Sequence, residues 1–253
     1  MINCRRHASL CSPPFNSELL LIRASTRLRA ALVALALCLL PSGAFAGEIA
    51  RTPGTPFLPD SVATVSLAAA ARGAGLRPSV LRSALAGYRR AVASGVVQHA
   101  LLTVIDYSLP SHVRRLWVLD LARARVLARE FVAHGRGSGA DSASAFSNVP
   151  GSYASSLGTF VTENTYQGAN GLSLRLDGLD PGLNDHALDR GIVMHGAWYV
   201  SQAMIRQFGR LGRSEGCPAL SERAAHRVIP LIADGSVLYA YYPTLAKGRS
   251  TGT

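Results

Sequence analysis

In residues 79–94, SVLRSALAGYRRAVAS, the apolar positions Val80, Leu81, Leu85, Tyr88 and Val92 recur at the spacing that lines one face of a helix. Ser79 after Pro78 provides a start signal, so the pattern predicts a helical arm ahead of the main domain. Downstream the period changes. LLTVIDYSL (101–109) is rich in β-branched and aromatic residues, and RRLWVLDL (114–121) with RVLAREFVAHG (125–135) reads as a hairpin. Further strand-like runs are LGTFVT (157–162), LSLRL (172–176), GIVMHG (191–196) and GSVLYAYY (235–242). Two helical stretches, 199–207 and 221–231, interrupt them, and Pro230 should end or bend the second. Many short strands with few helices predict a β-rich α+β fold, a sandwich or barrel. The segment 134–158, dense in Gly, Ser, Asn and Pro, is too long for a plain connection and is expected to border a site.

The N-terminal pattern is different in kind. Arg23, Arg27 and Arg29 precede an uncharged apolar run over 30–40. Pro41-Ser42-Gly43 breaks the run, and Ala44-Phe45-Ala46 has the small-x-small form of a cleavage site. The run falls short of the roughly 20 apolar residues that cross a bilayer. Residues 1–46 therefore read as a signal peptide with an extended leader or an early start codon, with a short membrane anchor as the alternative. The expected location is the periplasm, with no stable membrane insertion after cleavage. Behind the leader come a linker and helical arm (47–97, Pro- and Gly-rich over 51–59), a main domain (98–246) and a tail (247–253).

Charge narrows the partners. The chain carries 26 Lys and Arg against 15 Asp and Glu, and Lys247 is its single lysine. It stays net positive by about seven after loss of the leader, which suits anionic, wall-like surroundings. The arginines are scattered, with no helix-turn-helix, zinc-knuckle or aromatic-platform pattern beside them, so nucleic acid is not an expected partner.

Cysteine changes the picture most. Cys4, Cys11 and Cys38 leave with the leader, and Cys217 remains alone. A lone thiol in an exported chain is a buried neutral residue, an intermolecular link or a nucleophile. Gly212 and Gly216 leave backbone N–H groups near it that could face an oxyanion, and a helix starting at Ser221-Glu222 would lower its pKa. A nucleophile needs a base. The mature histidines are His99, His112, His134, His186, His195 and His226; His195, at a strand end before Gly196, is the strongest candidate. A zinc site of His134, His186, His195 and Cys217 is the rival, without any close-spaced ligand motif behind it.

His195-Gly196 followed by Ser214-Glu215-Gly216-Cys217 resembles the signature of YkuD-type L,D-transpeptidases. More closely, VAHGRGSG, FSNVPGSYASSLGTF, TYQGANGLSLRLDGL, IVMHGAWYV and GRLGRSEGCPAL are similar to the murein L,D-transpeptidase catalytic-domain subgroup, YkuD_2. The resemblance spans about 101–242 and implies an L,D-transpeptidase-like β-sandwich or barrel with a few short helices. It implies Cys217 as the acylated nucleophile and His195 as proton acceptor. Gly216 and Cys217 would lend N–H groups to an oxyanion hole, and Ser214 would orient the loop. Gly196 would let the backbone pass close to the imidazole. Tyr153, Ser155, Ser156 and Gly158 would border the cleft, and Arg213 and Arg190 are candidates for holding a substrate carboxylate because a guanidinium matches that geometry. No cofactor and no metal are implied. Peptidoglycan stem peptides would be the partner, joined by 3→3 cross-links. An L,D-carboxypeptidase or a non-catalytic wall-binding protein are the alternatives, and the sequence leaves the oligomeric state open. Glu215 and Pro218 depart from the commoner family pattern.

Overall fold

The computed structural model describes residues 61–244; the leader, the 51–59 linker and the 247–253 tail lie outside the described residues. In chain order the elements are α1 (Ser61–Gly73), α2 (Pro78–Ala93), β1 (Leu101–Asp106), β2 (Leu116–Asp120), β3 (Arg125–Glu130), a 3-10 turn (Arg136–Ser138), β4 (Gly158–Gly168), β5 (Gly171–Gly178), β6 (Val193–Gly196), α3 (Gln202–Phe208), β7 (Ala219–Leu220), α4 (Glu222–Ile232) and β8 (Val237–Tyr241). The strands form one eight-stranded sheet in the order β3-β2-β1-β8-β4-β5-β6-β7. The β1–β8 and β6–β7 pairs are parallel and the others antiparallel. The two edges meet: Ala133, just past β3, donates its N–H to Ala219 O of β7 at 2.8 Å. That bridge makes the β-rich fold a nearly closed barrel-like sheet.

Strands β1, β2 and β8 are buried on both faces, so they read as continuous apolar runs rather than alternations. Parity still sorts their side chains. Leu102, Val104, Trp117, Leu119, Val237 and Tyr239 pack with α1 and α2 on one face. Ile105, Leu116, Val118, Leu238 and Ala240 pack with α4 on the other. Ala224, Ala225, Val228, Ile229 and Ile232 form the buried stripe of α4. Ser221 caps this helix by accepting from Ala224 N–H at 3.2 Å. Pro230 lies inside the last turn, and the helix stops shortly after it at Ile232.

Three elements differ from the pattern reading. Helix α1 was not expected, because its alanine-rich sequence has no polar face to contrast with the buried Leu67 and Ala71. Strand β4 runs on to Gly168 through a polar stretch that the β5 hairpin keeps paired. Strand β7 spans Ala219–Leu220, too short to carry any periodicity. Its pairing with β6 places the candidate site.

Candidate active site

Strand β6 fixes one side of the site. His195 pairs with Ser173 of β5 on one flank and Ala219 of β7 on the other. Cys217 precedes Ala219 by one turn of pleat, so the same pairing that holds His195 brings Cys217 onto its side of the sheet. Both line one cavity of about 510 Å³, together with Ser214, Arg213, Tyr153 and Arg190.

His195 is buried, and its Nδ1 lies 2.8 Å from Gly196 O. A carbonyl oxygen only accepts, so Nδ1 carries the proton and Nε2 of the neutral ring is left bare. Burial lowers the imidazole pKa, and the Gly196 bond partly offsets this.

Cys217 is half-buried and makes no disulfide. Its Sγ accepts from Val193 N–H at 3.5 Å and lies 3.7 Å from Gly191 O. Burial pushes the thiol pKa up; the Val193 N–H and the Arg190 guanidinium pull it back, and Glu215 adds to the rise. This reverses the expectation of a thiolate drawn out by the α4 N-terminus. Strand β7 intervenes before the first turn of α4, and desolvation outweighs every favourable charge.

The turn around Cys217 is wired from within. Ser214 Oγ donates to Cys217 O at 2.6 Å and accepts from Gly216 N–H at 3.2 Å. The Gly216 N–H, expected as an oxyanion donor, is thus already engaged. Ser214 N–H donates to His134 O at 3.0 Å, and Arg136 N–H to Ser214 O at 2.7 Å, tying the turn to the 134–158 segment. Gly216 has φ +126°, and a Cβ there would meet Ala154 O and Ile192 Cδ1 at 3.0 Å, so glycine is required.

The expected substrate-facing residues divide. Arg213 is exposed on the rim, its Nη1 donating to Gly139 O at 3.0 Å. Tyr153 is exposed with φ +54°, and the Arg136 guanidinium stacks on its ring at 3.8 Å while pairing with Glu215 at 3.2 Å. Ser156 is buried behind the wall, donating to Ser147 O at 3.0 Å and accepting from Arg190. Arg190 also donates to Ala154 O at 2.7 Å, so part of its guanidinium is spent on the loop. Gly196 faces a neighbouring cavity of about 470 Å³ with Trp198 and Glu222. Its contribution to the site is the carbonyl that sets the His195 tautomer.

The other histidines are elsewhere. His134 is fully buried, and its Nδ1 accepts from the equally buried Arg115 at 2.7 Å. Burial and the Arg115 charge take its pKa down to about 4. His186 is exposed, its N–H donating to Asn148 Oδ1 at 3.2 Å, and His226 faces the second cavity. Among the described residues no group of three or more His, Cys, Asp or Glu could hold a metal ion. Among them, too, no helix is long and apolar enough to cross a membrane. Sequence reasoning missed the Val193 N–H beside the sulfur, and Tyr166, Asn170 and Tyr199 on the cavity wall. A backbone donor has no sequence signal, and the three side chains come from hairpin and loop positions that only the sheet register brings to the cleft.

The barrel-like sheet thus places the Cys217 thiol and the His195 imidazole on one cleft. Residues 72–241 match the family model of the YkuD_2 L,D-transpeptidase catalytic domain, and the chain belongs to that family. Solved structures similar to it include an L,D-transpeptidase from Mycobacterium smegmatis, 16% identical, with TM-score 0.35, over 56% of this chain and 59% of that one. L,D-transpeptidase 3 from Mycobacterium tuberculosis, in complex with a faropenem-derived adduct, is 13% identical, with TM-score 0.38, over 56% and 60%. The helical cell shape determining protein Pgp2 from Campylobacter jejuni is 13% identical, with TM-score 0.36, over 56% and 47%. The matched region spans less than two thirds of each of these structures. No curated protein matches the chain.

Proposed function

We propose that the chain is an exported L,D-transpeptidase that works in the periplasm on peptidoglycan stem peptides. Cys217 Sγ attacks the carbonyl after the L-centre of the third stem residue while His195 Nε2 takes its proton. The tetrahedral oxyanion collapses, the terminal D-residue leaves as an amine protonated by His195, and a thioester remains on Cys217. An amine of a second stem, deprotonated by His195, then attacks the thioester and gives a 3→3 cross-link. Arg213 at the rim offers a guanidinium to the leaving D-residue's carboxylate. The observation that carries this reading is that the Cys217 thiol and the Nδ1-protonated His195 line one cavity.

Intact mass after incubation with a carbapenem tests it. Wild type should gain one adduct, and Cys217→Ala none. A folded wild-type chain that stays unmodified would overturn the acyl-enzyme.

A further inference from the structure

Ser155 is buried directly behind the Cys217 turn and does not line the cavity. A serine hydroxyl has one hydrogen and two lone pairs. The hydrogen goes to Gly216 O at 2.9 Å. One lone pair accepts the Gly135 N–H at 3.0 Å, and the other meets the Tyr107 hydroxyl. Tyr107 is itself buried, and burial pushes its pKa up to about 12. The backbone of Ser155 is held as well: its N–H donates to Ser138 Oγ at 2.8 Å, and its carbonyl accepts from Ser147 N–H at 3.1 Å. The hydroxyl has no other direction in which to turn.

What Ser155 holds is one face of a planar unit. In a trans peptide the C=O and the next N–H point in opposite directions. Fixing the Gly216 carbonyl toward the interior therefore turns the Cys217 N–H outward, where it lies against its own Sγ. The Gly216 N–H is taken by Ser214, so at this turn the Cys217 N–H is the backbone donor left beside the sulfur.

We propose that Ser155 is a positioning residue that aims the Cys217 N–H at the oxygen that becomes negative when Cys217 is acylated. This rests on the acyl-transfer reading above. In acylation the sulfur pair forms the C–S bond, the carbonyl π pair moves onto oxygen, and its return expels the leaving group. Alkylation by iodoacetamide forms a C–S bond and releases iodide without any oxyanion. A group that serves the oxyanion affects the first reaction and spares the second, whereas a change in thiol pKa or access moves both.

The test compares two rates on the full chain at one pH: acetylation of Cys217 by p-nitrophenyl acetate, read as p-nitrophenolate release, and alkylation by iodoacetamide. Loss of one oxyanion donor costs about 100- to 1000-fold, and misdirecting it costs less. Ser155→Ala should slow acetylation about 10- to 100-fold and change alkylation by less than about twofold. Ser155→Cys, a weaker donor of similar shape, should fall between. If Ser155→Ala does not fold, Tyr107→Phe empties one lone pair of Ser155 and should slow acetylation selectively. Equal changes in both rates, or none, would overturn the positioning role. A wild type that alkylates but is not acetylated would overturn the acyl-transfer reading, and the positioning role with it.

Discussion

His134 is the more deeply buried of the two histidines near the Cys217 turn, yet chemically it is the wrong one for a base. Its Nδ1 lone pair is occupied by Arg115, and its ring is closed off from the cavity. An unfolded histidine takes its proton near 6.5, and the folded His134 holds out to about 4. Between those values the unfolded state binds more protons, so stability is complete above about 6.5 and falls as the pH drops toward 4. His134 alone accounts for up to about 3 kcal/mol of that loss, and His195, also lowered, acts in the same direction. Urea unfolding measured across this window should show the decline, with a flatter slope in His134→Gln. An unchanged slope in that variant would contradict the assignment. At this scale the sequence was readable in its choice of residues: Cys217 and the strand-end His195, singled out from the chain, line one cavity. It was unreadable where a hydrogen-bond direction decides. The engaged Gly216 N–H and the clamped Ser155 hydroxyl depend on which rotamer faces which loop, and the Cys217 pKa depends on burial that no local motif encodes.

At the scale of elements, the strands were legible because β-branched and aromatic runs between turn signals have few other uses. Their partners were not, since β1, β2 and β8 are apolar on both faces and any register satisfies such a pattern. Helix α2 was legible from its stripe, but its seat on the sheet depends on a glycine. A Cβ at Gly87 would meet Thr159 Oγ1 at 2.8 Å and Tyr239 Cδ2 at 2.9 Å. Replacing a helical glycine by alanine ordinarily gains about 0.5–1 kcal/mol. Overpacking against a fixed ring costs about 1–3 kcal/mol. Gly87→Ala should therefore destabilise the chain by about 1 kcal/mol, seen as a lower urea midpoint at unchanged slope. A raised midpoint would mean that α2 does not approach the sheet as closely as described.

For the whole molecule, closure of the sheet is what assembles the site. The Ala133–Ala219 bridge joins its two edges, and from it the 134–158 segment runs against the Ser214–Cys217 turn through Gly135, Arg136 and Ser155. The resemblance in the sequence pointed to the family before any contact was known, because His195-Gly196 at the end of β6 and Ser214-Glu215-Gly216-Cys217 just before β7 are spaced by α3 and its flanking loops. The spacing is visible in a sequence; the closure that gives it meaning is not. The central claim is that this closed site breaks one stem-peptide bond and passes the acyl group to an amine. The direct measurement is mass analysis of a synthetic stem tetrapeptide incubated with the full chain and an acceptor amine, beside Cys217→Ala. Loss of the terminal D-residue with formation of the cross-linked product, in wild type alone, is the predicted result; an untouched tetrapeptide, or a tripeptide with no cross-link, would contradict it.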